Sequence, residues 1–600
     1  MGFEISRRNF LKLSGLLAAA LALPKVVRAK ILTPQERPLP VLDSEVYKPA
    51  ICKSCPALCM LRIRVVNGKP VGVSEMSGHP VNDGTLCPKG NAILQELYHP
   101  DRLRFPLRQK GERGSNQWER ISWDEACEIL RAKLSDLLKR GKPEALGILA
   151  APVRDIRHEI QKRFAQAFGT SHFWEWNWPL SEFPLEAFHL IHGSSKDIFY
   201  DLSNASLIVS FGWDRLQAFG SPVEAQRAYG ELRRGKPDRR ARILQIEPRL
   251  SVTAGKADEW IAIKPDTEGI LALGIAQVLI RDHLYDKNFV DEWTTGFEDF
   301  KTFVLKEYSP ETVSRITGAK TSQLLQVAKD LALIKPALAI TYRGSLFNQL
   351  AVHTLNLLVG AVGKRGGVLF TDVSNYELVL PPLSVAGVEP RPILPYTRLP
   401  EAILNSSSSP IEVFWMERVN PVFLSPGPHQ WKKALARMPF IVSFSSFLDE
   451  SSTLAGLVLP PHHSLEAWQY GFSRTIDGRG VTSFAPPVIP PFDDTGDHGD
   501  FLLRLARSLG GNVARALPWE DFVASLQEAL KKMRTEEPMK KGEWWEYEGM
   551  KEDMSSLVKN EFGKLKSPVD ELKEETAKHR EFQSKESLQL YVYGCIAEWH

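Results

Sequence analysis

The feature that most constrains this chain is the spacing of its cysteines, because four of the six lie between positions 52 and 87. Cys52, Cys55 and Cys59 follow a C-x2-C-x3-C pattern, and 27 residues separate Cys59 from Cys87. Three thiolates from one tight loop and a fourth from a second loop are the ligand set that a 4Fe-4S cluster needs. A structural zinc site is the alternative, but such sites favour two short pairs of ligands. The pattern therefore predicts a cluster, and six cysteines in 600 residues exclude a disulfide scaffold.

The residues around these cysteines carry further predictions. Alternation of apolar and polar residues across 61–73, centred on an Asn-Gly turn, predicts a β-hairpin between the two ligand loops. Lys89 follows the fourth cysteine, where a cation would stabilise the reduced cluster and bridge it to a neighbouring redox group. The alternative for Lys89 is an exposed surface lysine. Cys127 is predicted to fill the core side of a helix from Trp123 to Leu138, and Cys595 has no assigned role.

The N-terminus is predicted to be an export signal. Arg7 and Arg8 precede Phe-Leu-Lys, a short apolar stretch from Leu13 to Leu23 and a small-residue cleavage site, so residues 1–29 resemble a twin-arginine signal. An amphipathic anchoring helix is the alternative, and the apolar stretch is too short to span a bilayer. The mature chain is therefore expected in the periplasm, on the outer side of the cytoplasmic membrane.

Charge and hydropathy limit the partners. The formal net charge is only +3, and removing residues 1–29 takes away five basic residues and one acidic residue, which leaves −1. This balance excludes a nucleic-acid partner. No later segment reaches about 18 uninterrupted apolar residues, so membrane contact is expected only through partner subunits.

The length requires several hydrophobic cores, because single cores stop growing near roughly 250–300 residues. Apolar runs at 205–214 and 241–249, each ending in a glycine or charged turn, predict parallel strands whose C-terminal loops face a nucleotide. Taken alone, such a run is more often an ordinary strand–helix unit without a ligand.

Five short motifs lie in fixed order in the first quarter of the chain. They are Cys52–Pro56, Gly78–Asn82, Gly84–Gly90, Tyr98–Leu103 and Ile121–Ala126. Their order and spacing resemble the molybdopterin oxidoreductases of the dimethyl-sulfoxide-reductase family. The resemblance implies a bis-molybdopterin guanine dinucleotide cofactor, carrying molybdenum or tungsten, beside the 4Fe-4S cluster. In that family the lysine corresponding to Lys89 lies between the cluster and one pterin.

The resemblance also implies dinucleotide contacts further along the chain. The corresponding positions here are Gly212, Asp214, Glu247, Arg249, Asp266, Glu268, Asn420 and Asp449. Two of them depart from the family's Pro-Gly-Thr-Asp motif, since Asp266 replaces the glycine and Glu268 replaces the acid. A third departure is Gly456, which stands where many members carry an aspartate before Leu-Val-Leu-Pro.

The implied fold is multidomain α/β and dimethyl-sulfoxide-reductase-like, with a small N-terminal 4Fe-4S β domain and Rossmann-like domains. The expected divisions are 46–105 for the 4Fe-4S domain, with a return segment at about 462–490; 106–175 and 376–461 for domain II; 176–375 for domain III; and 491–600 for a helical, charged C-terminal segment.

Two features separate the chain from catalytic members of the family. Their metal ligand follows a turn similar to Phe168–Thr170, and here no cysteine occurs in 171–190, so Ser181 is the one weak candidate ligand. The alternative for Ser181, which precedes Glu182, is a helix cap. The family also ends in a β-barrel domain over the pterins. Leu588–Cys595 resembles its first strand, and Lys and Glu dominate 528–587. The barrel is therefore expected to be lost, truncated or supplied by another polypeptide.

Both features favour a subset of the family that act as electron-transfer scaffolds, the molybdopterin-binding-like subunits of menaquinone reductase complexes and of alternative complex III. Tyr200–Ala205 and Leu465–Trp468 resemble that subset. The expected partners are a ferredoxin-like iron–sulfur subunit, a polytopic quinone-binding membrane subunit and a multihaem cytochrome c. The alternatives are a catalytic molybdenum reductase acting on polysulfide, thiosulfate or tetrathionate, and a structural subunit whose cluster only stabilises the fold.

Overall fold

A computed structural model of the chain describes residues 44–151, 155–176, 187, 190–191, 197–216, 221–235, 240–341, 345–371, 380–383, 385, 396–425, 427–475, 480–531, 544–547, 565–566, 568 and 570–574. The predictions for residues 1–29, Ser181 and Leu588–Cys595 lie outside these residues.

The region that contains the four predicted ligand cysteines has a small antiparallel sheet in the order β1-β2-β3. The elements of this region are β1 (Glu45–Ile51), β2 (Met60–Val66), β3 (Lys69–Glu75), α1 (Pro88–Asn91) and α2 (Ile93–Leu97). The predicted hairpin is confirmed, with Asn67 and Gly68 both at positive φ in the turn between β2 and β3. Positive φ at both central residues matches the right-handed twist of the flanking strands.

The next segment alternates strands and helices. Its elements are β4 (Leu107–Gln109), β5 (Trp118–Arg120), α3 (Trp123–Lys139), β6 (Leu146–Ala150), α4 (Ile156–Phe168) and β7 (Phe173–Glu175). Helix α3 occupies the predicted position, and Ser122 caps it by accepting a hydrogen bond from the Glu125 amide at 3.1 Å. Cys127 is buried on its core side, as predicted.

The middle of the chain builds a second sheet. The strands of this middle segment are β8 (Asp197–Tyr200), β9 (Leu207–Phe211), β10 (Arg242–Glu247), β11 (Glu259–Ala262), β12 (Thr294–Thr295), β13 (Ala337–Thr341) and β14 (Val368–Thr371), of which four form the second sheet. Its helices are α5 (Pro222–Gly230), α6 (Val252–Lys256), α7 (Glu268–Arg281), α8 (Lys287–Trp293), α9 (Phe297–Glu307), α10 (Pro310–Thr317), α11 (Thr321–Leu333) and α12 (Leu346–Leu358). The strands β11-β10-β9-β13, called the small sheet below, are all parallel, so the strands predicted at 205–214 and 241–249 are confirmed.

The chain then adds further strands to the sheet that contains β4 to β7. The elements are α13 (Leu399–Asn405), β15 (Val413–Glu417), α14 (Pro421–Leu424), α15 (Pro428–Arg437), β16 (Phe440–Phe444) and β17 (Leu457–Leu459). Together with the earlier strands they form what is called the large sheet below, in the order β5-β4-β17-β16-β15-β6-β7. Strands β17 to β7 are parallel, whereas β4 and β5 are antiparallel additions at one edge. Segments that precede and follow the small-sheet region along the chain therefore contribute strands to the same large sheet.

The last described elements pack against the cysteine region and against the helices beside the large sheet. They are β18 (Gln469–Arg474), β19 (Gly480–Ala485), α16 (His498–Leu509), α17 (Gly511–Ala516), α18 (Phe522–Lys531), β20 (Trp544–Tyr547) and β21 (Leu565–Lys566). The β18–β19 hairpin lies against β1. Phe501 and Phe522 lie in the same hydrophobic core as α3 and α4. These three helices of the expected charged segment are therefore buried on one side, which its average composition did not predict.

Among the described residues, no helix is long and apolar enough to cross a membrane.

Candidate functional site

The four cysteines line a single buried cavity. Cys52, Cys55 and Cys59 lie in the loop between β1 and β2, where the Cys52 amide donates to the Cys59 carbonyl at 2.9 Å and closes the loop. Cys87 is the N-cap residue of α1. The hydrogen-bonded first loop and the start of α1 thus bring all four cysteines to one cavity, as the cysteine spacing predicts.

The chemistry of this cavity fits an iron–sulfur cluster. Burial, together with the neighbouring thiols, raises the pKa of Cys59, and burial raises the pKa of Cys55 to about 11. Such thiols become thiolates only beside a strong positive charge, which cluster iron supplies. In the part of the chain that the structure covers, no three His, Cys, Asp or Glu side chains stand close enough to hold a single metal ion. All four cysteines nevertheless line one cavity.

Lys89 connects this cavity to a much larger cleft. Its side chain is buried, with 8% of the residue exposed, and its Nζ donates to the Ser54 carbonyl at 3.3 Å. Lys89 lines both the cysteine cavity and the cleft beside it. Its burial excludes the alternative of an exposed surface lysine.

The cleft has a volume of about 580 Å³ and opens at the carboxyl ends of the parallel strands of the large sheet. Ala151 follows β6, Arg418 follows β15 and Ser445 follows β16, and all three line it. Chain order reverses between β6 and β15, and such a switch point is where open α/β sheets bind nucleotides. The cleft therefore has the position and size of a cofactor site.

Two predicted contact residues, Asn420 and Asp449, lie in this cleft. Asn420 donates to Glu450 Oε2 at 2.7 Å and accepts from the Ser451 hydroxyl at 2.7 Å. Asp449 accepts from the amides of Ser451 and Ser452 at 2.9 and 2.7 Å, and burial raises its pKa. Both side chains thereby fix the loop after β16 that forms one wall.

A buried charged network that sequence reasoning missed forms another part of the cleft. Lys53 donates to Asp155 at 3.1 Å, and Arg157 donates to Asp497 at 3.1 Å. Burial favours the neutral carboxyl, but the charges of Lys53 and Arg157 lower the pKa of Asp155 to about 2. Asp155 and Asp497 cap α4 and α16, which is the one signal in the sequence that could have found them.

Histidines that the sequence also did not single out line the same cleft. The ring of His498 packs against Trp415 and Phe444, with centroids 5.9 and 4.5 Å apart, and its Nδ1 lies 3.5 Å from Glu417 Oε1. His462 hydrogen-bonds Thr495 through Nδ1 at 2.7 Å. The cleft thus offers imidazole, ammonium, guanidinium and carboxylate groups to a polar ligand.

The remaining predicted contacts lie together at the small sheet, away from this cleft. Arg249 donates to Asp214 at 2.8 Å, and Gln245 donates to Glu247 at 2.9 Å. Gly212, at the end of β9, has a φ of 68°. The structure therefore groups Gly212, Asp214, Glu247 and Arg249 as expected, with each charged side chain engaged by a neighbour.

Asp266 and Glu268 lie at the start of α7 and share one partner. The Asn348 amide donates to Asp266 at 2.9 Å and to Glu268 at 3.4 Å. Burial, with the nearby charges of Asp266 and Glu247, raises the pKa of Glu268 to about 8. Glu268 is therefore largely protonated at neutral pH, a property that the residue type alone does not reveal.

Comparison with known proteins agrees with this architecture. Residues 102–497 match the family model described as molybdopterin oxidoreductase, and residues 45–99 match the molybdopterin oxidoreductase Fe4S4 domain. The chain belongs to the molybdopterin oxidoreductase family. The match to the Fe4S4 domain favours a cluster over zinc at the four cysteines. Residues 4–24 match the twin-arginine translocation signal, so this family member is exported to the periplasm.

Curated relatives include both respiratory and reductase subunits. The chain is 30% identical over 544 residues to the menaquinone reductase, molybdopterin-binding-like subunit of Nitratidesulfovibrio vulgaris, covering 88% of this chain and 74% of that protein. It is 25% identical to the thiosulfate reductase molybdopterin-containing subunit PhsA of Salmonella typhimurium, covering 86% of this chain and 71% of that protein.

A solved structure shows the same fold. Acetylene hydratase from Pelobacter acetylenicus superposes with a TM-score of 0.70 at 20% identity, over 84% of this chain and 74% of that chain. The dimethyl-sulfoxide-reductase-like fold expected from the motifs is thereby confirmed for the part shared with that protein.

Proposed function

We propose that the chain is the exported iron–sulfur subunit of a membrane-bound respiratory complex. It passes electrons between a periplasmic donor or iron–sulfur partner and a menaquinone-reactive membrane subunit. The observation that carries the proposal is the convergence of four cysteines on one buried cavity that a single lysine links to a cofactor-sized cleft. This arrangement supplies four candidate ligands for a one-electron centre within the described residues.

Each residue of the centre has a defined task. Cys52, Cys55, Cys59 and Cys87 would hold the cluster, which supplies one-electron transfer when bound. The Ser54 carbonyl holds the Lys89 ammonium beside the cavity. A fixed cation there offsets the negative charge that the cluster gains on reduction and favours the reduced form.

The partners follow from export and from the named relative. The export signal and the similarity to a subunit of a menaquinone reductase support a role beside other subunits at the membrane. We therefore propose a ferredoxin-like iron–sulfur subunit, a polytopic quinone-binding subunit and a multihaem cytochrome c as its partners.

The large-sheet cleft fits a pterin dinucleotide in size, position and donor groups. Asn420, Arg418 and Lys89 line it and would contact such a ligand. We propose that any pterin bound there is not a catalytic molybdenum centre, because residues 171–190 contain no cysteine to bind the metal.

A second candidate is a catalytic molybdenum reductase of the polysulfide, thiosulfate or tetrathionate type. The similarity to a thiosulfate reductase subunit favours it, and Ser181, outside the described residues, is its candidate metal ligand. Metal analysis of the mature protein separates the two candidates. One molybdenum or tungsten per four iron supports the reductase, and iron without either metal supports the electron-transfer subunit.

The cysteine variants Cys87→Ala and Cys127→Ala test the proposed function in the purified complex. Cys87→Ala removes a ligand at the cavity, so we expect loss of the cluster's electron paramagnetic resonance signal and at least a tenfold fall in quinone reduction. Cys127→Ala changes a buried cysteine of α3 that lies in a different hydrophobic cluster from Cys52 and Cys59, and it should retain both. Quinone reduction at the normal rate by a cluster-free Cys87→Ala complex would refute the proposal.

A further inference from the structure

The loop that carries three of the cysteines also carries a buried lysine. Lys53 lies between Cys52 and Ser54, and only 7% of its side chain is exposed. Its residue lines the large-sheet cleft, on the opposite side of the loop from the cysteine cavity that Lys89 lines. Lysine is almost never fully buried unless it is paired. The burial of Lys53 therefore requires a counter-charge, which the structure supplies.

Two acceptors hold the Lys53 ammonium in one place. Its Nζ donates to Asp155 Oδ2 at 3.1 Å and to the carbonyl of Tyr470 in β18. Asp155 is the N-cap residue of α4, and its side chain is 9% exposed. The ammonium thus ties the cysteine loop to α4 and to the β18–β19 hairpin, and these contacts keep its charge at a constant distance from the loop.

Asp155 has a second cationic partner, which continues the series of charges away from the cysteines. Arg157 Nη1 lies 3.4 Å from Asp155 Oδ2, and the same guanidinium pairs with Asp497. The guanidinium also stacks on the ring of Phe522 at 3.6 Å, which fixes its position. The charges therefore alternate in sign from Lys53 to Asp497. The first of them, the ammonium of Lys53, is the only one of the four that the cysteine loop itself carries.

A buried charge beside a redox centre changes the reduction potential of that centre. A cation lowers the free energy of the state that has gained an electron, whereas an anion raises it, and the protein interior screens both effects weakly. Lys89 would exert this effect from the side of the cysteine cavity. Lys53 has the same three properties on the side of the cleft, namely charge, burial and a fixed position one residue from Cys52.

We propose that Lys53 is a second fixed cation of the electron-transfer centre and that Asp155 moderates its effect on the reduction potential of the cluster. Lys53 acts through the cysteine loop, so it is a positioning residue and not a ligand. The inference rests on the proposed function and deepens it, because it names a pair of residues outside the cysteine cavity that regulates electron transfer.

Redox titration of the purified complex at pH 6, followed by electron paramagnetic resonance, tests the proposal. At this pH Asp155 is ionised, since its pKa is about 2. Lys53→Met removes the ammonium and leaves Asp155 paired with Arg157, so we expect the reduction potential to fall. Asp155→Asn removes the carboxylate and keeps a residue type that caps helices well, so we expect the potential to rise. The double variant should lie between the two single variants.

Lys69→Met is the matched control, because Lys69 is an exposed lysine in β3 of the same region. Water and salt screen an exposed charge, so this variant should keep the potential of the unaltered chain. An anchor of the loop without an electrostatic role would shift both single variants in the same direction or would shift neither. Either result would overturn the proposal. If Lys53→Met loses the cluster, Asp155→Asn decides alone, and an unchanged or lower potential overturns the proposal.

Quinone reduction by the same complexes separates this inference from the proposed function. Potentials that shift as expected in a complex whose cluster passes no electrons to the quinone would refute the proposed function and leave the tuning role of Lys53 intact. Normal electron transfer together with potentials that do not respond to either charge would overturn the tuning role alone.

Discussion

At the scale of single residues, the charges around the cysteine cavity come from separate parts of the chain. Lys89 reaches the cavity from α1, whereas Pro222 and Val223 at the start of α5 line its other side. Glu224, the next residue, is buried, and its charge adds to those that raise the pKa of Cys59. A small-sheet helix therefore contributes a negative charge to a site whose ligands lie elsewhere.

Replacing Glu224 with Gln should raise the reduction potential of the cluster. Removing a buried negative charge near the cysteines makes the added electron less unfavourable, because Coulomb interactions are weakly screened in the interior. Glu231→Gln, at the exposed C-terminal end of α5, is the matched control and should leave the potential unchanged. The measurement is a redox titration followed by electron paramagnetic resonance. An unchanged or lower potential in Glu224→Gln would contradict this assignment.

Functional residues could be predicted from the sequence where they lie close together along the chain. The cysteines and Lys89 lie in contiguous motifs, so their spacing alone identifies the cavity. Arg157 and Asp497 meet only after folding and are separated by 340 positions, so no local pattern reveals their pairing. The raised pKa of Glu268 was equally hidden, because it depends on burial by elements distant in sequence.

At the scale of elements, a buried ion pair fastens the segment after α2 to the turn before β18. Arg102 forms a two-bond pair with Glu466, including a contact of 3.1 Å, and both residues are almost fully buried. Glu466 also accepts from the His463 amide at 2.8 Å. The pair thus joins the cysteine region to the return hairpin.

Arg102→Met should lower the free energy of unfolding by about 3–5 kcal/mol, since it leaves a buried carboxylate unpaired. Arg104→Met is the matched control, because the Arg104 side chain is 60% exposed and lies 3.9 Å from Asp493. Exposed pairs contribute about 0–1 kcal/mol, so the control should change little. Denaturant unfolding of the mature chain measures both, and equal losses would contradict the role given to Arg102.

A second contact between elements, made by a buried histidine, makes the free energy of unfolding depend on pH. His79 Nδ1 donates to Asn82 at 2.9 Å, and its Nε2 accepts from Ser483 of β19 at 3.0 Å. Burial lowers the pKa of His79 to about 4, although the Asn82 hydrogen bond opposes this shift. The unfolded chain, with a pKa near 6.5, therefore binds the proton more readily than the folded chain.

Stability from His79 should be complete above pH 6.5 and should decline as the pH falls towards 4, by about 3 kcal/mol over the whole window. His79→Gln removes this titration, so its melting temperature should fall less between pH 7 and pH 5 than that of the unaltered chain. His429→Gln, at an exposed position in α15, should retain the full decline. Identical pH profiles for His79→Gln and the unaltered chain would disprove the assignment.

At the scale of the whole molecule, the cysteine region lies between a helix of the small sheet and the open cleft of the large sheet. The sequence predicted the parallel strands, because their apolar runs end in characteristic turns. It did not predict that α16 and α18 complete the large-sheet core. The apolar residues of these helices are mixed with many charged residues, so the average composition of the whole segment hides them. Nor could strand order be deduced from local patterns, and strand order determines where the large-sheet cleft forms.

Rapid freeze-quench electron paramagnetic resonance of the assembled complex tests the central claim most directly. The cluster is first reduced, the complex is mixed with a menaquinone analogue, and the cluster signal is followed within single turnovers. Electron transfer through this chain predicts that the cluster is reoxidised at least as fast as the quinone is reduced. A cluster that stays reduced while the quinone turns over would contradict the account.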